Sequence, residues 1–297
     1  MASVYLDYDQ AALDAQYNLR AAVPDHPEDF ARWAAASDAA RRDPAARLDV
    51  AYGDGAMERL DVFPAPVSAP APILVFFHGG YWRALDKADF SFPAPAFGDA
   101  GIVYASVNYS LAPAADMDRI VRQCRRAVAW LWRNAGTFGG DPARLYVAGH
   151  SAGGHLTGML LTGGWQAAAG LPEDAVKGGV AVSGVFDLEP VRLTYLNADL
   201  SLDPASVRRN SPIHHLPAPG RPLVLAVGDL ETAEFRRQQA AYADACRAAG
   251  IACEVVSMPG RHHFDVVDGL GEGGSPLFAA TCRMVSRPAA AVAGGER

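Results

Sequence analysis

Four short stretches hold the residue types that could do chemistry. "YVAGHSAGGHL" (146–156) contains Gly149-His150-Ser151-Ala152-Gly153, a G-x-S-x-G run between an apolar strand pattern and a helix start. That context fits a nucleophile elbow, in which a strained strand–helix turn lifts a serine hydroxyl above a sheet. Glycines flank the serine because side chains there would collide with the strand and the helix. The Ala152 N–H would then point at substrate from a helix N-terminus, where partial positive charge collects. "HGGYW" (78–82) follows the apolar run "ILVFF" (73–77), and Gly79 and Gly80 would offer bare N–H groups to an oxyanion. "GDLETAEF" (228–235) supplies Asp229 and Glu231 as acid candidates, with Glu234 placed to start a helix. "MPGRHHFDVV" (258–267) supplies His262 and His263 as base candidates. The chain order serine, acid, histidine is the one this elbow uses.

The elements that must position these residues alternate regularly. Strand patterns cover 73–77, 101–109, 144–150, 178–184, 222–228 and 252–258. Most are continuous apolar runs, as expected of strands covered on both faces. Helical patterns fall at 118–134, 152–162, 232–249 and toward 287. Before them, 47–52 and 59–63 alternate apolar and polar residues around "GDGA", a hairpin signal. The predicted class is α/β, a mostly parallel central sheet with helices on both faces. One domain spans 1–297. Residues 1–45 form an alanine-rich helical appendage, 186–219 are a candidate lid, and 288–297 are a candidate disordered tail.

Together, "HGGYW", "GHSAGGHL", "ETAEFRRQ" and "HHFDVV" resemble the α/β-hydrolase-type kynurenine formamidases, or arylformamidases, relatives of the hormone-sensitive-lipase-like esterases. The resemblance extends over nearly the whole chain, through "AALDAQYN" and "TYLNADLSLDPASVRRNSP". It implies an α/β-hydrolase fold and hydrolysis of N-formyl-L-kynurenine to L-kynurenine and formate. Ser151 matches the nucleophile, His263 the histidine and Glu231 the acid. Members of the family often carry aspartate at the acid position, so Asp229 stays a rival. Gly79, Gly80 and Ala152 would form the oxyanion hole. Tyr81 and Trp82 would line an aryl site, and Asn197, Arg208, Arg209 and Ser211 are candidates for a polar clamp on an amino-acid substrate. A broad aryl or alkyl carboxylesterase, or a non-catalytic binding protein on the same fold, are the competing readings.

Composition narrows the field. The 297 residues are 50% hydrophobic with a net charge of −7 and no run of one sign, which argues against a nucleic-acid partner. No apolar run reaches ~18 residues, so no membrane span is expected. The N-terminus lacks the basic and apolar regions of a signal peptide, so a cytoplasmic location is expected. Cys124, Cys246, Cys253 and Cys282 form no C-x-x-C pair and read as free thiols. No cofactor or metal is expected, because adjacent histidines in "RHHFD" seldom reach one ion. The expected partner is a small aryl amide or ester; a homodimer stays open.

Overall fold

Eight strands form one sheet in the order β1-β2-β4-β3-β5-β6-β7-β8. The computed structural model describes residues 3–286. The chain opens with helices α1 (Gln10–Tyr17), α2 (Leu19–Ala22) and α3 (His26–Ala40). The hairpin β1 (Arg47–Ala51) and β2 (Arg59–Phe63) follows, then β3 (Ala71–Phe77), α4 (Ala94–Asp99), β4 (Val103–Val107) and α5 (Met117–Asn134). Next come β5 (Gly140–His150), α6 (Ala152–Leu161), α7 (Trp165–Ala168) and β6 (Gly179–Val182). The 186–219 excursion folds as α8 (Glu189–Arg192), α9 (Asn197–Leu200) and α10 (Pro204–Asn210). The chain then adds β7 (Leu223–Gly228), α11 (Ala233–Ala248), β8 (Cys253–Met258) and α12 (Pro276–Val285).

β1 and β2 pair antiparallel, and β2 joins β4 antiparallel; every pairing from β4 to β8 is parallel. The hairpin and the mostly parallel sheet expected from the patterning are both present. β3, β4 and β6 are buried along their whole length, which is why they read as unbroken apolar runs. The 288–297 tail lies outside the described residues. Among the described residues no helix is long and apolar enough to cross a membrane, and the four cysteines are free.

Parallel pairing places several loops at one edge. Phe77 pairs with Gly149, so the chain leaving β3 runs beside the chain leaving β5. Gly228 pairs with Met258, which aligns the exits of β7 and β8. These exits carry the candidate oxyanion loop, serine, acid and histidine. Helices α1–α3 do more than append to this body. The Tyr17 hydroxyl lies 3.2 Å from Glu234 and accepts from Gln238 at 2.8 Å, and the Trp33 indole donates to Asp268 at 2.7 Å.

Candidate active site

Ser151 is the N-cap of α6 at φ 57°, ψ −116°, a backbone region L-residues seldom adopt. Its own N–H is fixed by the Val182 carbonyl at 2.8 Å. The turn is possible because Gly153 has no side chain: a Cβ there would lie 1.8 Å from the Phe77 carbonyl oxygen. Helix α6 can therefore press against the end of β3, and the serine stands at the junction.

The loop after β3 curls alongside. Gly80, Tyr81 and Trp82 all have positive φ, at 97°, 48° and 57°. A Cβ on Gly80 would sit 2.2 Å from the Ala84 carbonyl oxygen, so only glycine closes this curl. A Cβ on Gly79 would stand 3.2 Å from the Ser151 Cβ, which measures how near the loop comes to the serine. Among the described residues, the N–H groups of Gly79, Gly80 and Ala152 donate to no other group of the chain. His78 braces the loop from below. Its Nδ1–H donates to the Gly79 carbonyl at 2.8 Å, and the Tyr109 hydroxyl donates to the His78 carbonyl at 2.8 Å.

The histidine and its acid are buried together. His263 Nδ1 lies 2.6 Å from Glu231 Oε2, with both residues at most 5% exposed. The other Glu231 oxygen accepts from the Ser183 hydroxyl at 2.5 Å and from the Gly228 N–H at 2.8 Å. Three donors on one carboxylate fix its orientation. His263 therefore carries its proton on Nδ1 and leaves Nε2 bare. Asp229 is exposed and accepts instead from the Gly260 N–H at 2.7 Å. His262 turns away as well, toward Asp265 and Asp29.

His150 closes the assembly. Its Nε2–H donates to the His263 carbonyl at 2.8 Å, and the two rings lie 4.8 Å apart. Burial, and then the neighbouring His263, holds His150 well below the ordinary histidine range, so it stays neutral.

Ser151, His150 and His263 line one cavity of about 530 Å³, within the range of small-molecule sites. Its aromatic walls are Tyr17, Phe30, Trp33, Tyr81, Tyr195 and Phe264. Tyr81 is where the sequence placed it. Trp82 is not: it is fully buried away from the cavity, and its indole N–H donates to His155 at 3.2 Å. Tyr81 and Trp82 both have left-handed backbone and their ring centroids lie 6.4 Å apart, yet of the two Tyr81 alone lines the cavity. The four clamp candidates also lie elsewhere. Asn197 and Leu202 bond to each other, Arg209 pairs with Asp118, Ser211 caps within the excursion, and Arg208 is exposed. The charged groups on the cavity are Arg20, Arg83 and Asp199. Arg83 directly follows "HGGYW", which was the available signal. Ser183, at the polar end of an apolar strand, was also missed.

The BD-FAE family model matches residues 60–232. A kynurenine formamidase of Salmo salar is 33% identical over 81% of this chain and 82% of that protein. The kynurenine formamidase of Danio rerio is 33% identical over the same shares. Esterase LipQ of Mycobacterium tuberculosis is 28% identical over 76% of this chain, which spans 59% of that protein. A solved Silicibacter sp. structure, provisionally described as a thioesterase, superposes with a TM-score of 0.79 at 29% identity, covering 90% of this chain and 97% of that one.

Proposed function

The chain belongs to the BD-FAE family and, within the α/β-hydrolases, to the kynurenine formamidases, and from that premise we propose that it is a serine hydrolase of aryl formamides, taking N-formyl-L-kynurenine to L-kynurenine and formate. The observation that carries the chemistry is the buried His263–Glu231 pair at 2.6 Å, facing the same cavity as Ser151.

In this reading His263 Nε2 takes the Ser151 proton as the hydroxyl oxygen attacks the formyl carbon. The carbonyl oxygen gains the electron pair and is received by the N–H groups of Gly79, Gly80 and Ala152. Each such donor contributes roughly 3–4 kcal/mol to the transition state. The tetrahedral adduct collapses, the C–N bond breaks, and His263 gives its proton to the departing aryl amine. Water then attacks the formyl ester on Ser151 with His263 again accepting the proton; the bond from the formyl carbon to Ser151 Oγ breaks, His263 returns the proton to Oγ, and formate leaves. Glu231 stays ionised throughout, holding the imidazole tautomer and stabilising the imidazolium. The aromatic walls give an aryl leaving group apolar surface to displace water from.

The esterase relatives favour a second reading, a broad carboxylesterase using the same residues. Parallel turnover of N-formylkynurenine and a p-nitrophenyl ester separates the two. The formamide is expected to match or exceed the ester in kcat/KM. A value orders of magnitude below the ester's would replace the formamidase reading with the esterase one.

A further inference from the structure

The cavity wall carries charge that the hydrolytic chemistry does not use. Arg83, on the oxyanion loop, forms an ion pair with Asp199 of α9, and both side chains are partly open to solvent at 33% and 41%. Arg20, in α2, lies over the Phe30 ring at 5.7 Å. Among the described residues Arg20 forms no ion pair. All three residues line the same cavity as Ser151 and His263. Tyr195 lies beneath the Arg83 guanidinium at 5.9 Å, which fixes where that cation sits.

An exposed ion pair adds little to stability, so its place on the wall calls for another reason. A neutral aryl ester would cover the Arg20 cation without offering it a partner and would leave Arg83 and Asp199 only each other, and covering charge unpaired is costly. A zwitterion satisfies all three. A guanidinium fork matches a carboxylate in shape as well as charge, and a carboxylate beside it takes an ammonium.

We propose that the cavity mouth is a recognition site for an α-amino-acid group, with Arg20 and Arg83 receiving the carboxylate and Asp199 the ammonium of an aryl substrate. This rests on the proposed function only in placing the reacting end at Ser151. These residues would then separate amino-acid formamides from plain aryl amides and esters.

The test reads binding, not formamide cleavage. Competitive inhibition of p-nitrophenyl acetate hydrolysis is measured for three probes: L-kynurenine, 4-(2-aminophenyl)-4-oxobutanoate, which lacks the ammonium, and 2-aminoacetophenone, which lacks the whole amino-acid group. For wild type, L-kynurenine is expected to bind at least about 10-fold tighter than 2-aminoacetophenone, the scale of one charge-assisted hydrogen bond. Arg20→Gln and Arg83→Gln should shrink that ratio, and Asp199→Asn should erase the preference for L-kynurenine over the oxobutanoate. Each ratio is taken within one variant, so a changed ester rate does not disturb it. Arg83→Gln also unlatches α9 from the oxyanion loop; Arg20→Gln breaks no ion pair and carries the test if the other misfolds. A wild-type ratio near one, or ratios unchanged across the variants, would overturn the proposal. Absent formamide turnover would instead overturn the formamidase reading, with these ratios still measurable.

Discussion

Glu231 and Asp229 sit two residues apart in one loop, yet their surroundings differ completely. Glu231 is buried and accepts from His263, Ser183 and Gly228; Asp229 is exposed and accepts from the Gly260 N–H. Glu231→Gln is expected to lose on the order of 10⁴-fold in kcat, because the amide no longer enforces the tautomer that leaves Nε2 bare. Asp229→Asn should stay within a few-fold of wild type. Steady-state kinetics on the two variants checks this, and the reverse ranking would reassign the acid. The sequence could not separate the pair, because both acids follow the same strand and both precede α11. What decides is the direction each side chain takes out of the turn, and Ser183 arrives from a different strand. Trp82 fails for a related reason: its position beside Tyr81 said nothing about its burial against His155.

At the scale of elements, buried histidines join parts that are far apart in the chain. His155 on α6 donates from Nε2 to the Asn210 carbonyl of α10 at 2.6 Å and accepts at Nδ1 from the Trp82 indole. Both ring nitrogens are satisfied only in the neutral form, since a proton on Nδ1 would face the indole N–H. Burial, with the Asn210 carbonyl opposing it, lowers His155 to about 4, and burial lowers His78 to about 4 as well. His150 is pushed down by the same cause. Unfolding frees these rings to take protons near pH 6.5. The unfolded chain then binds more protons than the native one between about pH 4 and 6.5. Stability is fully present above that window and is lost as pH falls through it. Each ring contributes about 1.4 kcal/mol per pH unit inside the window. Urea unfolding between pH 7.5 and 5 should show the loss, and His155→Gln should flatten the slope by about one proton. Equal slopes for wild type and His155→Gln would show that His155 is not held neutral. The elements themselves were largely legible. Parallel strands buried on both faces have an unmistakable apolar signature, whereas the short helices α8–α10 of the excursion lack enough periodicity to show one.

Across the whole molecule, the floor of the site and its walls come from different kinds of information. The floor is local: each loop follows a strand, and parallel pairing delivers it to one edge in an order readable from the chain. The walls are assembled at long range. Tyr17, Arg20, Phe30 and Trp33 belong to helices that look like an alanine-rich appendage, and only packing against α11 and the His263 loop turns them into cavity wall. Substrate preference therefore resides in the part least visible to pattern reading, and chemistry in the part most visible. That chemistry depends on a covalent bond to Ser151. The measurement that reaches it most directly is acid quenching of the enzyme during turnover of p-nitrophenyl acetate, followed by peptide mass analysis, with Ser151→Ala as the partner experiment. An acetyl group on the peptide containing Ser151 is expected, together with a fall in kcat on the order of 10⁴-fold or more for Ser151→Ala. An acetyl group on another residue, or near-wild-type turnover by Ser151→Ala, would contradict the assignment of Ser151 as the nucleophile.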